Sequence, residues 1–149
     1  METLVYRVVG LLFFLFLVTA CMPVTPQPAS PTPHLAYQVG GCQKSVPPER
    51  FNEWEGVDIQ VEDGTIHVVD HLPYVCCATI EVEMQVEDGR VQLVERNVGD
   101  VCRCMCAYRV DMRVTSLPPG TYIIQVWGVE DERTGPTRLR GEKEVTITK

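Results

Sequence analysis

The sequence predicts an all-β, antiparallel sandwich, and three observations carry that reading. Two Asp-Gly hairpin signals recur at an offset of 25 residues, from Ile59 to Met84. A long run between Cys102 and Val114 alternates apolar and polar side chains. No segment shows helical periodicity beyond one turn or two at residues 48–54. Several short strands with turns at this spacing are the pattern of two packed sheets.

The first hairpin places Ile59 and Val61 before Asp63-Gly64, and Ile66 and Val68 after it. With Asp-Gly as a two-residue turn, Val61 faces Ile66 and Ile59 faces Val68. The second places Met84 and Val86 before Asp88-Gly89, and Val91 and Leu93 after it. There Val86 faces Val91, Met84 faces Leu93 and Glu87 faces Arg90. Each hairpin gathers its apolar residues on one face, which supports these registers. The resemblance runs on to Asp70 and Glu95, but the period is not sustained as in a solenoid.

Cys102, Cys104, Cys106, Tyr108, Val110, Met112 and Val114 share one parity, while Arg103, Arg109, Asp111 and Arg113 share the other. This reads as a half-buried strand with cysteines at one end of its apolar face. Residues 117–122 then form a turn that feeds a strand at 122–129. In it Tyr122, Ile124 and Val126 face the core and Trp127 faces outward. Residues 144–148 are the last strand. The segment 117–129, LPPGTYIIQVWGV, resembles the penultimate strand of fibronectin-type-III and related immunoglobulin-like modules. In those modules a Leu, a Pro-Gly turn and a Tyr build a tyrosine corner. Tyr122 comes one residue earlier than the fibronectin spacing. The resemblance implies an immunoglobulin-like sandwich.

The amino-terminal end is of a different kind. Residues 8–20 are apolar apart from Gly10 and Thr19, and Arg7 precedes them. The run is short for a bilayer span, which needs about 20 apolar residues. It has the length of a signal-peptide core. Val18-Thr19-Ala20-Cys21, followed by Pro23, Pro26, Pro28, Pro31 and Pro33, resembles the lipobox and stalk of a bacterial lipoprotein. The resemblance implies cleavage before Cys21 and lipidation of its thiol, palmitate included. It places the protein at the cell membrane or outer envelope with its domain extracytoplasmic. An ordinary secretory signal and an uncleaved anchor are the alternatives. The expected organisation is a signal peptide at 1–20, a lipidated cysteine and Pro-rich linker at 21–40, and a Cys-rich domain at 41–149. The net charge of −7 argues against nucleic acid as a partner.

Six further cysteines remain: Cys42, Cys76, Cys77, Cys102, Cys104 and Cys106. An even number in an oxidising compartment implies three disulfides. Residues two apart in an extended strand are poorly placed to bond, so Cys102, Cys104 and Cys106 are each expected to pair outside their strand, with Cys42, Cys76 or Cys77. The connectivity stays open. A second reading is a zinc or copper(I) site built from Cys102, Cys104 and Cys106 with Cys76 or Cys77, because both metals favour sulfur. His67 or His71 would supply a nitrogen. A third reading is thiol redox chemistry, although no Cys-x-x-Cys is present. Cys76-Cys77, Cys-x-Cys-x-Cys-x-Tyr and Leu-x-x-Gly-x-Tyr together look like a pattern of bacterial envelope lipoproteins.

Catalytic signatures are missing from the sequence. There is no Gly-x-Ser-x-Gly elbow and no phosphate-cradling glycine loop. Asp58, Asp63 and Asp88 suit turns better than calcium. His67 reads as a solvated strand residue and His71 as part of a turn with Leu72-Pro73. Trp54 and Trp127 are candidates for a recognition surface, Trp127 foremost. The expectation is a non-catalytic, lipid-anchored domain that binds a partner or serves envelope structure, with metal binding as the alternative.

Overall fold

Among the described residues, eight strands build two facing four-stranded sheets. The computed structural model describes residues 31–43, 46–130 and 137–148. In chain order they hold β1 (His34–Val39), a 3-10 turn (Pro48–Arg50), α1 (Phe51–Trp54), β2 (Gly56–Glu62) and β3 (Thr65–Val75). Then follow β4 (Ile80–Glu87), β5 (Arg90–Asn97), β6 (Met105–Thr115), β7 (Gly120–Glu130) and β8 (Arg138–Ile147). The first sheet runs β1-β6-β3-β2 and the second β4-β5-β7-β8. The chain is thus an all-β sandwich of two facing sheets. One pairing departs from the antiparallel expectation: β5 and β7 run parallel. Parallel neighbours need a crossover, and here it is β6, which crosses to the other sheet and back.

Both hairpins adopt the registers that their turns dictate. Val61 pairs with Ile66 and Ile59 with Val68; Val86 pairs with Val91 and Met84 with Leu93. The turn residues Asp63, Gly64, Asp88 and Gly89 all have positive φ, between 48° and 74°. That is the geometry a tight hairpin requires and Asp-Gly tolerates. Their inward residues meet between the sheets. Ile59, Ile66, Val68 and Leu72 join Tyr108, Val110, Met112 and Val114 from the first sheet. Val82, Val91, Leu93, Ile124, Val126, Val145 and Ile147 face them from the second. Each such side chain contributes roughly 1.5–3 kcal/mol by leaving water. The tyrosine corner also forms: the Tyr122 hydroxyl donates to the Pro118 carbonyl at 2.9 Å, and Leu117 is buried.

Three expectations change. The first sheet includes β1, which lies inside the stretch assigned to the linker, so the sandwich begins before residue 41. Leu35 and Val39 pack on the core, and β1 pairs with β6 from His34↔Thr115 to Val39↔Val110. The expected turn at His71-Leu72-Pro73 is instead strand. Pairing with β2 ends at Gly56↔His71, so Pro73 has a strand neighbour only in β6, and its missing N–H is tolerated there. Finally, β6 starts at Met105, which leaves Cys102 and Cys104 in the connection before it.

Two connections pass between the sheets at the same end, β3 to β4 and β5 to β6. They are tied together by main-chain bonds, Cys76 N–H to the Cys104 carbonyl at 3.1 Å and Val98 N–H to the Thr79 carbonyl at 2.9 Å.

Candidate functional site

The cysteines sort into two environments. Cys42, after β1, bonds to Cys106, which begins the buried face of β6 and is 1% exposed. Main-chain bonds from Gly40 to Arg109 (2.7 Å) and from Gln43 to Ala107 (2.8 Å) hold that loop along β6. The other four cysteines gather at the paired crossovers. Cys77 bonds to Cys102, with Cα atoms 6.0 Å apart, and so fastens one crossover to the other. Cys76 and Cys104 remain thiols; Cys104 is exposed and Cys76 partly covered. The Cys104 Sγ lies 3.3 Å from the Cys102 Sγ. The Cys77 N–H points at the Cys102 sulfur at 3.2 Å. A hydrogen bond to Cys104, burial and the nearby Cys104 charge raise the Cys76 pKa. The Tyr108 hydroxyl donates to the carbonyls of Val75 and Cys76, at 3.1 and 2.9 Å, and steadies the turn that carries Cys76.

Two bonds therefore form where the count of six allows three. Cys102 and Cys106 do pair outside their own segment. The close approach of Cys102 and Cys104 was not expected. It arises because residues 102–104 form a bend rather than extended strand, so the spacing rule for strands does not apply to them. Cys106 turns into the core, away from its two neighbours, and no face of three thiolates results. The two histidines lie elsewhere. His67 stands opposite Gln60 and Arg113 on the outer face of the first sheet. Most of β3 separates it from Cys76, about 30 Å at the rise of an extended strand. His71 stacks on Trp54 with ring centroids 4.7 Å apart. Among the described residues, no group of three or more His, Cys, Asp or Glu side chains is placed to hold a metal ion.

A second cluster lies inside the sandwich, and the sequence reading passed over it. Asp70 of β3 and Glu95 of β5 are both fully buried. Arg140 of β8, whose side chain is 3% exposed, binds Asp70 through Nε at 2.6 Å and through NH2 at 2.8 Å. It also donates to Glu55 at 2.7 Å and to the His71 carbonyl at 3.1 Å. Glu95 stands 4.0 Å from the guanidinium, and among the described residues neither of its carboxyl oxygens has a hydrogen-bond partner. Burial, and then the charge of Asp70, hold the Glu95 pKa well above the usual carboxylate range. Burial opposes the Arg140 charge, yet the hydrogen bonds and charge of Asp70 keep its pKa above that of an ordinary arginine. Two glycines allow close approaches at or beside the cluster. A Cβ on Gly128 would lie 2.5 Å from Glu95 Oε2, and one on Gly141 would lie 2.7 Å from Val57 Cβ. One signal for this cluster was in the sequence: Asp70 and Glu95 occupy equivalent, inward positions of the two related hairpins.

The outer faces carry the remaining candidates. Trp127 is half-buried, across from Val94 on β5 and Leu139 on β8. Its indole N–H donates to Gln125 at 3.3 Å, and Gln125 in turn donates to Glu142 at 2.6 Å. On the first sheet a groove of about 590 Å³ is lined by Tyr37, Gln38, His67, Val69, Arg109 and Arg113, among others. Arg109 binds Asp111 through Nε and NH2, which holds the Asp111 carboxyl below its ordinary pKa.

Cys21 and the lipobox, with the rest of residues 1–30, lie outside the described residues. Among those described, no helix is long and apolar enough to cross a membrane. The fold and its bonded cysteines define a disulfide-bearing β-sandwich. The chain has no significant match to a protein-family model, a curated protein or a solved structure.

Proposed function

We propose that this chain is a lipid-anchored extracytoplasmic protein whose sandwich is a non-catalytic binding or structural module. The observation that favours this reading most is the pair of bonded cysteines, Cys42–Cys106 and Cys77–Cys102. Disulfides persist in oxidising compartments and are rare in the cytosol, which fits export by the amino-terminal segment. The lipobox at residues 18–21 then supplies the tether. Two acyl chains would hold it firmly, since each buried methylene adds about 0.8 kcal/mol. The carboxylates Asp70 and Glu95 are sealed between the sheets, where no substrate reaches them, which favours a module without acid-base chemistry. The outer face around the half-buried Trp127 is the binding surface of this reading, because tryptophan is enriched at protein contacts.

Metal handling by zinc or copper draws less support. It needs Cys102, Cys104 and Cys106 on one face, and Cys106 is instead buried at the core and bonded to the exposed Cys42.

The test is acylation in a bacterial host that lipidates its envelope proteins. Wild type should take up labelled palmitate and fractionate with membranes, and Cys21→Ala should lose both. Label that survives Cys21→Ala, or no label on wild type, would sink the tethered reading.

A further inference from the structure

We propose that Cys76 and Cys104 form a reversible dithiol, which closes a third bond when it meets a disulfide-bearing molecule and reopens when thiols are in excess. The inference goes beyond a purely structural role for the cysteines and does not depend on lipidation of Cys21.

Register carries the argument. The β3–β6 ladder ends at Val75↔Met105, and Cys76 and Cys104 are the next positions out. The main-chain bond from Cys76 to Cys104, 3.1 Å, continues the ladder through them. Residues directly opposite in an antiparallel pair have Cα atoms about 4.5–5.5 Å apart, within the span a disulfide accepts. The turn is already held by Tyr108 and by Cys77–Cys102. Closing or opening the third bond therefore leaves the crossovers where they are. The new bond would enclose nearly the same loop that Cys77–Cys102 already closes, so it removes little further chain entropy.

The chemistry balances with a disulfide RSSR as oxidant. Cys104 is the exposed member, and its thiolate attacks one sulfur of RSSR. A Cys104–S–S–R bond forms and RS⁻ leaves. Cys76 keeps its proton more tightly, through its hydrogen bond to Cys104 and its burial, and so acts second. It releases that proton to water and attacks the Cys104 sulfur. The Cys76–Cys104 bond forms and the second RS⁻ leaves. Two electrons have passed from the dithiol to RSSR, which ends as two RSH. Excess RSH runs the steps backward.

The experiment uses the full-length protein in detergent, equilibrated in glutathione buffers from reducing to oxidising. Samples are quenched with acid, alkylated and mapped by peptide mass. Cys76 and Cys104 should lose alkylation together, with a mass lower by two hydrogens and no retained glutathione. Cys42, Cys77, Cys102 and Cys106 should stay unalkylated over the same range. Cys76→Ser should trap one glutathione on Cys104. The proposal is overturned if wild type holds glutathione on Cys104 while Cys76 still alkylates. It is equally overturned if both thiols stay reactive in every buffer, if Cys76→Ser traps no adduct, or if a Cys102–Cys104 bond appears and frees Cys77.

Discussion

The sulfur end and the buried charge cluster both fasten one sheet to the other, by different means. At the sulfur end, Cys77–Cys102 joins the two crossovers that carry the chain between sheets. In the interior, Arg140 of the second sheet grips Asp70 of the first. The covalent tie acts largely by restricting the unfolded chain, and it answers to reductants. The ionic tie acts only in the folded state, and it answers to protonation. A molecule with both is held against two different insults. The cost shows at Glu95, a buried carboxyl that the shared guanidinium does not satisfy.

The largest effect should come from breaking the ionic tie. Arg140→Met leaves Asp70 buried without its partner, and such losses cost about 3–5 kcal/mol. Urea unfolding should show that drop; an unchanged midpoint would mean that the guanidinium contributes nothing net. Next is Cys42→Ser. Its bond spans a sequence separation of 64, for which chain entropy alone assigns about 4 kcal/mol. Thermal unfolding should show the loss in oxidised protein, and it should vanish when wild type and variant are compared in strong reductant.

Glu95→Gln is smaller and depends on pH. The folded pKa of Glu95 is raised by burial and by Asp70, so the folded state binds a proton that the unfolded state has released. Wild-type stability should therefore fall as pH rises from the ordinary glutamate value through the raised one. The slope is at most about 1.4 kcal/mol per pH unit. Glu95→Gln should flatten that decline and gain on wild type as pH increases. Parallel stability curves for the two proteins would contradict the assignment. The smallest effect should be Cys104→Ser. Its side chain is exposed and outside any disulfide, and substitutions of that kind shift stability by about 0.5 kcal/mol or less. A large loss in the unfolding midpoint would show that Cys104 is already a structural crosslink.

The two fastenings also differ in how far the sequence announced them. Local rules were enough for the hairpins, because Asp-Gly turns and period-2 alternation fix the register of Ile59, Val61, Ile66 and Val68 without reference to the rest of the chain. The same alternation located the buried face of β6, while the tyrosine corner at Tyr122 was implied by the resemblance of residues 117–129 to fibronectin-type-III modules. The cysteines were visible as a group, but Cys77–Cys102 depends on two crossovers meeting and Cys42–Cys106 on β1 lying beside β6, which no local pattern encodes. The parallel contact of β5 with β7 escaped for the same reason. β1 was hidden by its proline-rich approach, and only Leu35 and Val39 hint at a buried side. Asp70 and Glu95 could have been flagged, since both break an apolar face at matching positions. Arg140 could not, because a register shift in the β7–β8 pair places it.

The most direct measurement is disulfide mapping and elemental analysis of full-length protein purified under non-reducing conditions. The account predicts peptides joined through Cys42–Cys106 and Cys77–Cys102, and no stoichiometric metal. Six alkylatable thiols outside the lipobox, carrying zinc or copper in fixed ratio, would contradict it and make metal handling the function of the domain.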